Sequence, residues 1–171
     1  MKDYNFKLKT KFLAAFMTLI FLCPVLLFSC AEEDAAAIDL KKLSEVIAEK
    51  VDLSNTIEYS DEQVRNNYGV TPEDIINMTV LKEMDVNSAE VLILFEAKDK
   101  EKAKEIENKL KEHKTYKLNE LKDYTLNPDN ERQYHIIEES EIIVERQYVF
   151  WAVYSQSKEI NAIINDFINE K

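Results

Sequence analysis

Apolar positions in this chain recur with two different periods, and the changes of period mark out its elements. Leu40, Leu43, Ile47 and Val51 fall at helical spacing with charges between them, predicting a helix over Ile38 to Val51. A short second helix is expected over Asp61 to Tyr68, closed by Gly69, because a helix stop favours a residue that takes positive φ without steric cost. Thr71-Pro72-Glu73-Asp74 reads as the start of a brief third helix, with Thr as N-cap, Pro at the first position and acids in the first turn. Asn77 to Met84 then turns strand-like, Asp85 to Ala89 is a turn, and Glu90 to Ala97 is a second strand, apolar on both faces. Asp99 caps a long charged helix reaching about Tyr124, striped by Ala103, Ile106, Leu110, Leu118 and Leu121. Asn127-Pro128-Asp129-Asn130 breaks the chain, and a short helix follows over Glu131 to His135. Glu141 to Glu145 and Tyr148 to Tyr154 are the third and fourth strands, joined by a tight turn at Arg146-Gln147. Lys158 to Glu170 is the closing helix, with Ile160, Ile163, Ile164 and Phe167 inward.

Strand, capped turn and helix from Glu90 to Leu110 recur 57 residues later from Gln147 to Phe167. Each copy is preceded by a shorter strand, which suggests two ββα units. The expected fold class is therefore α+β: one four-stranded antiparallel sheet, with the two long helices covering one face. The N-terminal helices would cover part of the other face. In that arrangement Ile106 and Ile163 are equivalent buried positions, and Lys104 and Glu107 are outer, solvated ones.

The N-terminus has a different character. Lys2, Lys7, Lys9 and Lys11 precede a nearly unbroken apolar stretch from Phe12 to Phe28, the anatomy of a secretory signal. The stretch ends Leu27-Phe28-Ser29-Cys30, which resembles the bacterial lipobox. That resemblance implies a diacylglycerol on the Cys30 thiol and cleavage before it. Phe28 is larger than such signals prefer, and Cys23 is a poorer candidate because Leu22 precedes it and Pro24 follows. An uncleaved transmembrane helix is the rival, but a run of about 17–18 residues sits at the short edge of what spans a bilayer. Residues 1–29 are thus expected to be a signal peptide, 30–37 a short tether, and 38–171 one α+β domain. Seven extended residues reach at most about 25 Å, so the domain would sit close to the membrane surface. The expected location is extracytoplasmic, anchored to the cell membrane by lipid.

Loss of residues 1–29 would remove four lysines and one aspartate, leaving 18 basic and 32 acidic residues. Such an acidic domain repels phosphates, which argues against a nucleic-acid partner. Only Cys30 remains after the signal, so there is no disulfide framework, thiol nucleophile or cysteine metal site to expect. Gly69 is the single glycine, which excludes glycine-rich phosphate loops and their cofactors.

Tyr68-Gly69-Val70, then Pro72-Glu73-Asp74-Ile75, then Phe95-Glu96-Ala97-Lys98-Asp99 opening a charged helix, then Tyr148-Val149-Phe150 form an ordered set. With the lipobox upstream, the set resembles the domain-of-unknown-function family numbered 4358, small lipoproteins of Gram-positive bacteria. The resemblance spans about Asp39 to Ile168. The family often has a glycine in the last hairpin where this chain has Arg146. The resemblance implies an architecture and a location, and no catalytic residue.

Candidate chemistry is sparse. Tyr148, Phe150, Trp151 and Tyr154 form the densest aromatic run, either a platform for a peptide or glycan ligand or core packing beneath helices. Tyr148, Phe150 and Tyr154 would share one strand face and Trp151 the other. Glu138, Glu139, Glu141 and Glu145, near Asp129 and Glu131, lack the glycine-bearing loop of a calcium site and read as a solvated surface, so no metal site is expected. His113 and His135 show no converging partners and are expected at exposed or edge positions. A noncatalytic binding or accessory module is the expected function, with a protein or glycan partner in the envelope. The alternative is a carboxylate-dependent cell-envelope enzyme, which needs two convergent acids, one with a raised pKa.

Overall fold

Val91–Ala97 and Tyr148–Val153 are the most apolar strands of the chain, and both faces of each are covered. In the computed structural model, which describes residues 37–122 and 127–169, they pair at the centre of one antiparallel sheet. The strands are β1 (Thr56–Glu58), β2 (Ile75–Glu83), β3 (Val91–Ala97), β4 (Ile142–Glu145) and β5 (Tyr148–Val153), in spatial order β1-β2-β3-β5-β4. The helices are α1 (Leu40–Ala48), α2 (Asp61–Tyr68), α3 (Lys100–Lys122), α4 (Pro128–Glu139) and α5 (Ser157–Asn169). The fold is α+β. Residues from Ala37 onward form one compact unit, while the expected signal, Cys30 and most of the tether lie outside the described residues.

Among the described residues five strands form where four were expected. The extra one, β1, has three residues, too few for an alternating pattern to register, and it is held by pairing with Leu81–Glu83. The helix expected from Thr71 does not form. The Asp74 carboxylate instead accepts from the Thr71 backbone N–H and hydroxyl, both at 3.1 Å, and the Asp74 N–H returns to the Thr71 carbonyl. Those bonds close a turn that consumes the capping groups, and Ile75 begins β2 at once.

The two long helices lie on opposite faces of the sheet, not on one. Val91, Ile93, Phe95 and Ala97 pack with Ala103, Ile106 and Leu110 of α3, joined by residues of α2 and α4. Leu92, Leu94, Phe150 and Ala152 pack with Leu40, Leu43 and Ile47 of α1 and Ile160, Ile164 and Phe167 of α5. Register explains the reversal. Ile93 pairs directly with Trp151, and directly paired residues share a face. The repeat, however, equates Ile93 with Phe150, one residue away, and a one-residue step turns every side chain to the opposite face. Ile93 accordingly packs on the α3 side and Phe150 on the α5 side.

Two finer expectations also shift. Ile160 and Ile164 are buried while Ile163 is half-buried, so Ile163 does not mirror Ile106. Glu107, expected to be solvated, is 8% exposed and ion-paired to Lys104 and to Lys111. Gly69 does end α2 in the left-handed region at φ 68°. Arg146, in the β4–β5 turn, holds φ at 56°. That conformation costs an L-residue about 1–2 kcal/mol, whereas glycine takes it without that cost.

Ile106→Ala and Ile164→Ala should each lower stability by about 2–5 kcal/mol in denaturant titrations, the usual cost of a buried aliphatic loss. Ile163→Ala should cost clearly less, and an equal loss there would contradict the packing described. Arg146→Gly should raise stability by up to about 1 kcal/mol, because relief of the strained φ exceeds the entropy glycine adds to the unfolded chain.

Candidate functional site

The first face is not filled evenly. Between β2, the ends of β3 and β5, and helices α2, α3 and α4 lies a cavity of about 340 Å³. That places it at the small end of the range for ligand pockets, roughly 300–1,000 Å³. Three aromatic side chains form one wall. Tyr68, the last residue of α2, meets the His113 ring of α3 edge-on at 4.9 Å between centroids, and His113 meets Trp151 of β5 at 6.1 Å. The Trp151 indole N–H donates to the Ser140 hydroxyl at 2.9 Å, and that hydroxyl donates to the Ile137 carbonyl at 2.7 Å. Trp151 is thereby fixed from behind. Val91, Val153, Leu121 and Ile137 supply apolar lining, and Met84 and Val86 of the β2–β3 turn stand exposed beside it, Val86 at 92%.

That turn is gripped at a single peptide group. The Lys82 ammonium donates to the Ser88 carbonyl at 2.5 Å, while the Gln133 side-chain oxygen of α4 accepts the Ala89 N–H at 2.7 Å. Both side chains also line the cavity.

The cavity lowers the pKa of two of its basic groups, His113 and Lys82. Burial pushes the His113 pKa below 6.5, the Lys117 charge adds to this, and the bond to the Asn67 backbone and the charge of Glu120 do not offset them. His113 is accordingly a neutral imidazole near pH 7. Burial likewise lowers Lys82, against the opposing pull of Glu83, Glu90 and Asp85. Tyr68 is pushed up by burial and by Tyr59, so its phenol stays protonated and can donate.

Two buried carboxylates lie elsewhere and serve structure. For Asp74 burial acts to raise the pKa, but the Lys109 and Thr71 hydrogen bonds together outweigh it and hold the carboxyl well below its ordinary value. Lys102 at 3.4 Å and Lys109 at 2.9 Å tie this turn to α3. Glu107 is lowered by its hydrogen bonds from Lys104 and Lys111.

The aromatic run does not form a surface platform. Tyr148, Phe150 and Tyr154 are buried against α1 and α5, with the Tyr148 and Phe150 rings stacked at 6.2 Å. The Tyr148 hydroxyl accepts from the Ile38 N–H at 3.0 Å and donates to Glu96 at 3.2 Å. A central strand covered on both faces has no open aromatic face to offer, and Trp151 alone of the four borders the cavity. Among the described residues no group of three or more His, Cys, Asp or Glu is placed to hold a metal. His135 is exposed and lies 3.6 Å from Glu138. His113 is the residue the sequence reading misplaced. Its signal was present, since Ile106, Leu110, His113 and Lys117 continue the inward stripe of α3 at helical spacing.

The family model for the domain of unknown function DUF4358 matches residues 49–154. The chain belongs to this family. All residues lining the cavity lie inside the matched segment, whereas α5 lies beyond it and α1 before it. No curated protein and no solved structure matches the chain. Among the described residues no helix is long and apolar enough to cross a membrane.

Acidification should weaken this DUF4358 chain in two windows. His113 has a folded pKa below its unfolded value, so the unfolded chain takes up the proton first and stability falls as pH drops below about 6.5. His113→Phe should flatten the melting-temperature profile between about pH 7 and 5. The Asp74 contribution is present above its unfolded value of 3.8 and is lost as pH falls below that towards its lower folded value, so Asp74→Asn should remove the steepest acid-side loss.

Proposed function

We propose that this chain is an exported lipoprotein, anchored through lipid on Cys30, whose folded part binds a small organic molecule in the cavity beneath the β2–β3 turn. It would act as a noncatalytic binding or accessory module of the cell envelope. The observation that carries the reading is the aromatic wall of Tyr68, His113 and Trp151, held in place from behind and bordered by hydrogen-bonding groups. Apolar walls with a few placed polar groups are the usual composition of ligand sites. The two ββα units belong to the same reading. β2-β3-α3 and β4-β5-α5 share element order, and only the first unit's face carries the cavity, because α1 fills the other.

Binding is favoured over carboxylate catalysis by the state of the buried acids. A general acid needs a raised pKa, while Asp74 and Glu107 are both held low by lysines.

The chain contains a single tryptophan, Trp151, so its fluorescence reports on the cavity alone. A screen of small aromatic and aliphatic compounds should yield members that shift or quench this emission saturably. Trp151→Phe should retain binding by calorimetry, and Tyr68→Ala should weaken it at least about tenfold through lost ring contact. A broad screen without a saturable response would count against the cavity as a ligand site. For the anchor, mass spectrometry of the wild-type protein should find a diacylated Cys30 at the N-terminus, and Cys30→Ala should keep residues 1–29. Residues 1–29 on most wild-type molecules would point to an uncleaved membrane segment instead.

A further inference from the structure

We propose that Lys82 is an anion-binding residue, and that the cavity takes a small organic carboxylate whose apolar body lies against Trp151 and Tyr68. This rests on the reading of the cavity as a ligand site and adds the chemical class of the ligand.

Lys82 is half-buried, and no carboxylate ion-pairs with it among the described residues. Its acceptors are the Ser88 carbonyl at 2.5 Å and the Glu83 carbonyl at 3.5 Å, the second at the limit of a hydrogen bond. An ammonium has three N–H donors, so one at least is left over. The acids around it are committed or point elsewhere. Glu83 accepts from the Asn55 amide, Glu120 pairs with Lys117 at 2.8 Å, and Arg132 approaches Glu90 at 3.8 Å. Asp85 accepts the Asn87 N–H within the turn. Glu83, Glu90 and Asp85 support the ammonium from a distance, but none is in ion-pair contact, and an anion seated directly on it would offset more of the cost of its burial.

Gln133, Tyr59 and Tyr68, which line the same cavity, offer further donors. Gln133 spends its oxygen on the Ala89 N–H, which leaves its NH₂ to donate. The Tyr59 and Tyr68 phenols are held protonated by burial, and neither hydroxyl has a protein partner among the described residues. One ammonium without a contact ion pair, among neutral donors, suits a monoanion better than a dianion, because Glu83, Glu90 and Asp85 already lend it negative field and Lys117 is paired with Glu120. A carboxylate is the compact organic monoanion that can accept several such bonds at once. The aromatic and aliphatic wall then sets the rest of the molecule as apolar or planar.

The test compares phenylacetate with 2-phenylethanol, which share a ring and differ in charge. Both are titrated into the full chain with detergent-only blanks, following the single indole N–H resonance of Trp151 by NMR. Phenylacetate should bind about tenfold or more tightly than the alcohol, the effect of one charge-assisted hydrogen bond. Lys82→Met, which keeps most of the aliphatic stem, should erase that preference and leave the alcohol unchanged. Lys41→Met, on exposed α1 surface, should alter neither. In the wild-type chain the Lys82 Cε resonance should move with phenylacetate and stay still with the alcohol, a reading that needs no variant if Lys82→Met does not fold. Equal binding of acid and alcohol would overturn the carboxylate assignment while leaving the cavity as a ligand site. A preference that survives Lys82→Met would remove Lys82 from the role. An indole resonance unmoved by either probe would count against the cavity reading itself and the proposal with it.

Discussion

β3 and β5 are paired along six residues, and every residue of β5 is buried. Neither strand can satisfy its side chains from one side alone, which is why the fold has two covering layers. On one side α1 and α5, the first and last described helices, pack on the sheet and on each other. On the other side α2, α3 and α4 share the task. Antiparallel sheets commonly leave one face to water; here the apolar content of two strands rules that out.

The two layers solve the same problem with different material, and the cavity follows from the difference. The α1–α5 layer uses amphipathic helices with regular stripes of Leu, Ile and Phe. The other layer depends on α3, whose surface is mostly charged and whose inward stripe changes from Ile106 and Leu110 to His113 and Lys117 along its length. Aliphatic packing thins where the stripe turns polar, with Leu118 and Leu121 only partly buried. The space beyond is bordered by rings, a lysine stem and the β2–β3 turn rather than filled by interlocking aliphatic groups. Side chains of this kind pack by edges and hydrogen bonds and leave volume between them.

Much of the local structure was legible in the sequence because local chemistry decided it. Gly69 ends α2 with the left-handed cap expected of it, and the structure adds a capping box from Ser60 and Gln63 at the other end. The long helix and both hairpin strands of the second half announced themselves by period. The sidedness of the helices was not legible, since it depends on whether Ile93 pairs with Trp151 or with Phe150, a choice made across the sheet and invisible in either strand alone. β1 was too short to show a pattern, and Thr71 to Asp74 carried helix-start chemistry that Asp74 satisfied within the turn. For the site, the aromatic run was visible but its burial followed from the central place of β5. His113 was hidden by counting histidines instead of continuing the α3 stripe. The Lys82–Gln133 grip joins residues far apart in the chain through one peptide group, and no local pattern encodes it.

The Tyr148 hydroxyl bonded to the Ile38 N–H has a mechanical side. Ile38 is buried, and its bond to Tyr148 holds the backbone just before α1 directly against β5. Tension applied at Ile38 would be delivered to β5 through that hydrogen bond. Resistance would come from withdrawing Ile38 and α1 from the sheet, ahead of any parting of the strands. The β2–β3 turn and its cavity lie on the opposite face, outside that first path of strain.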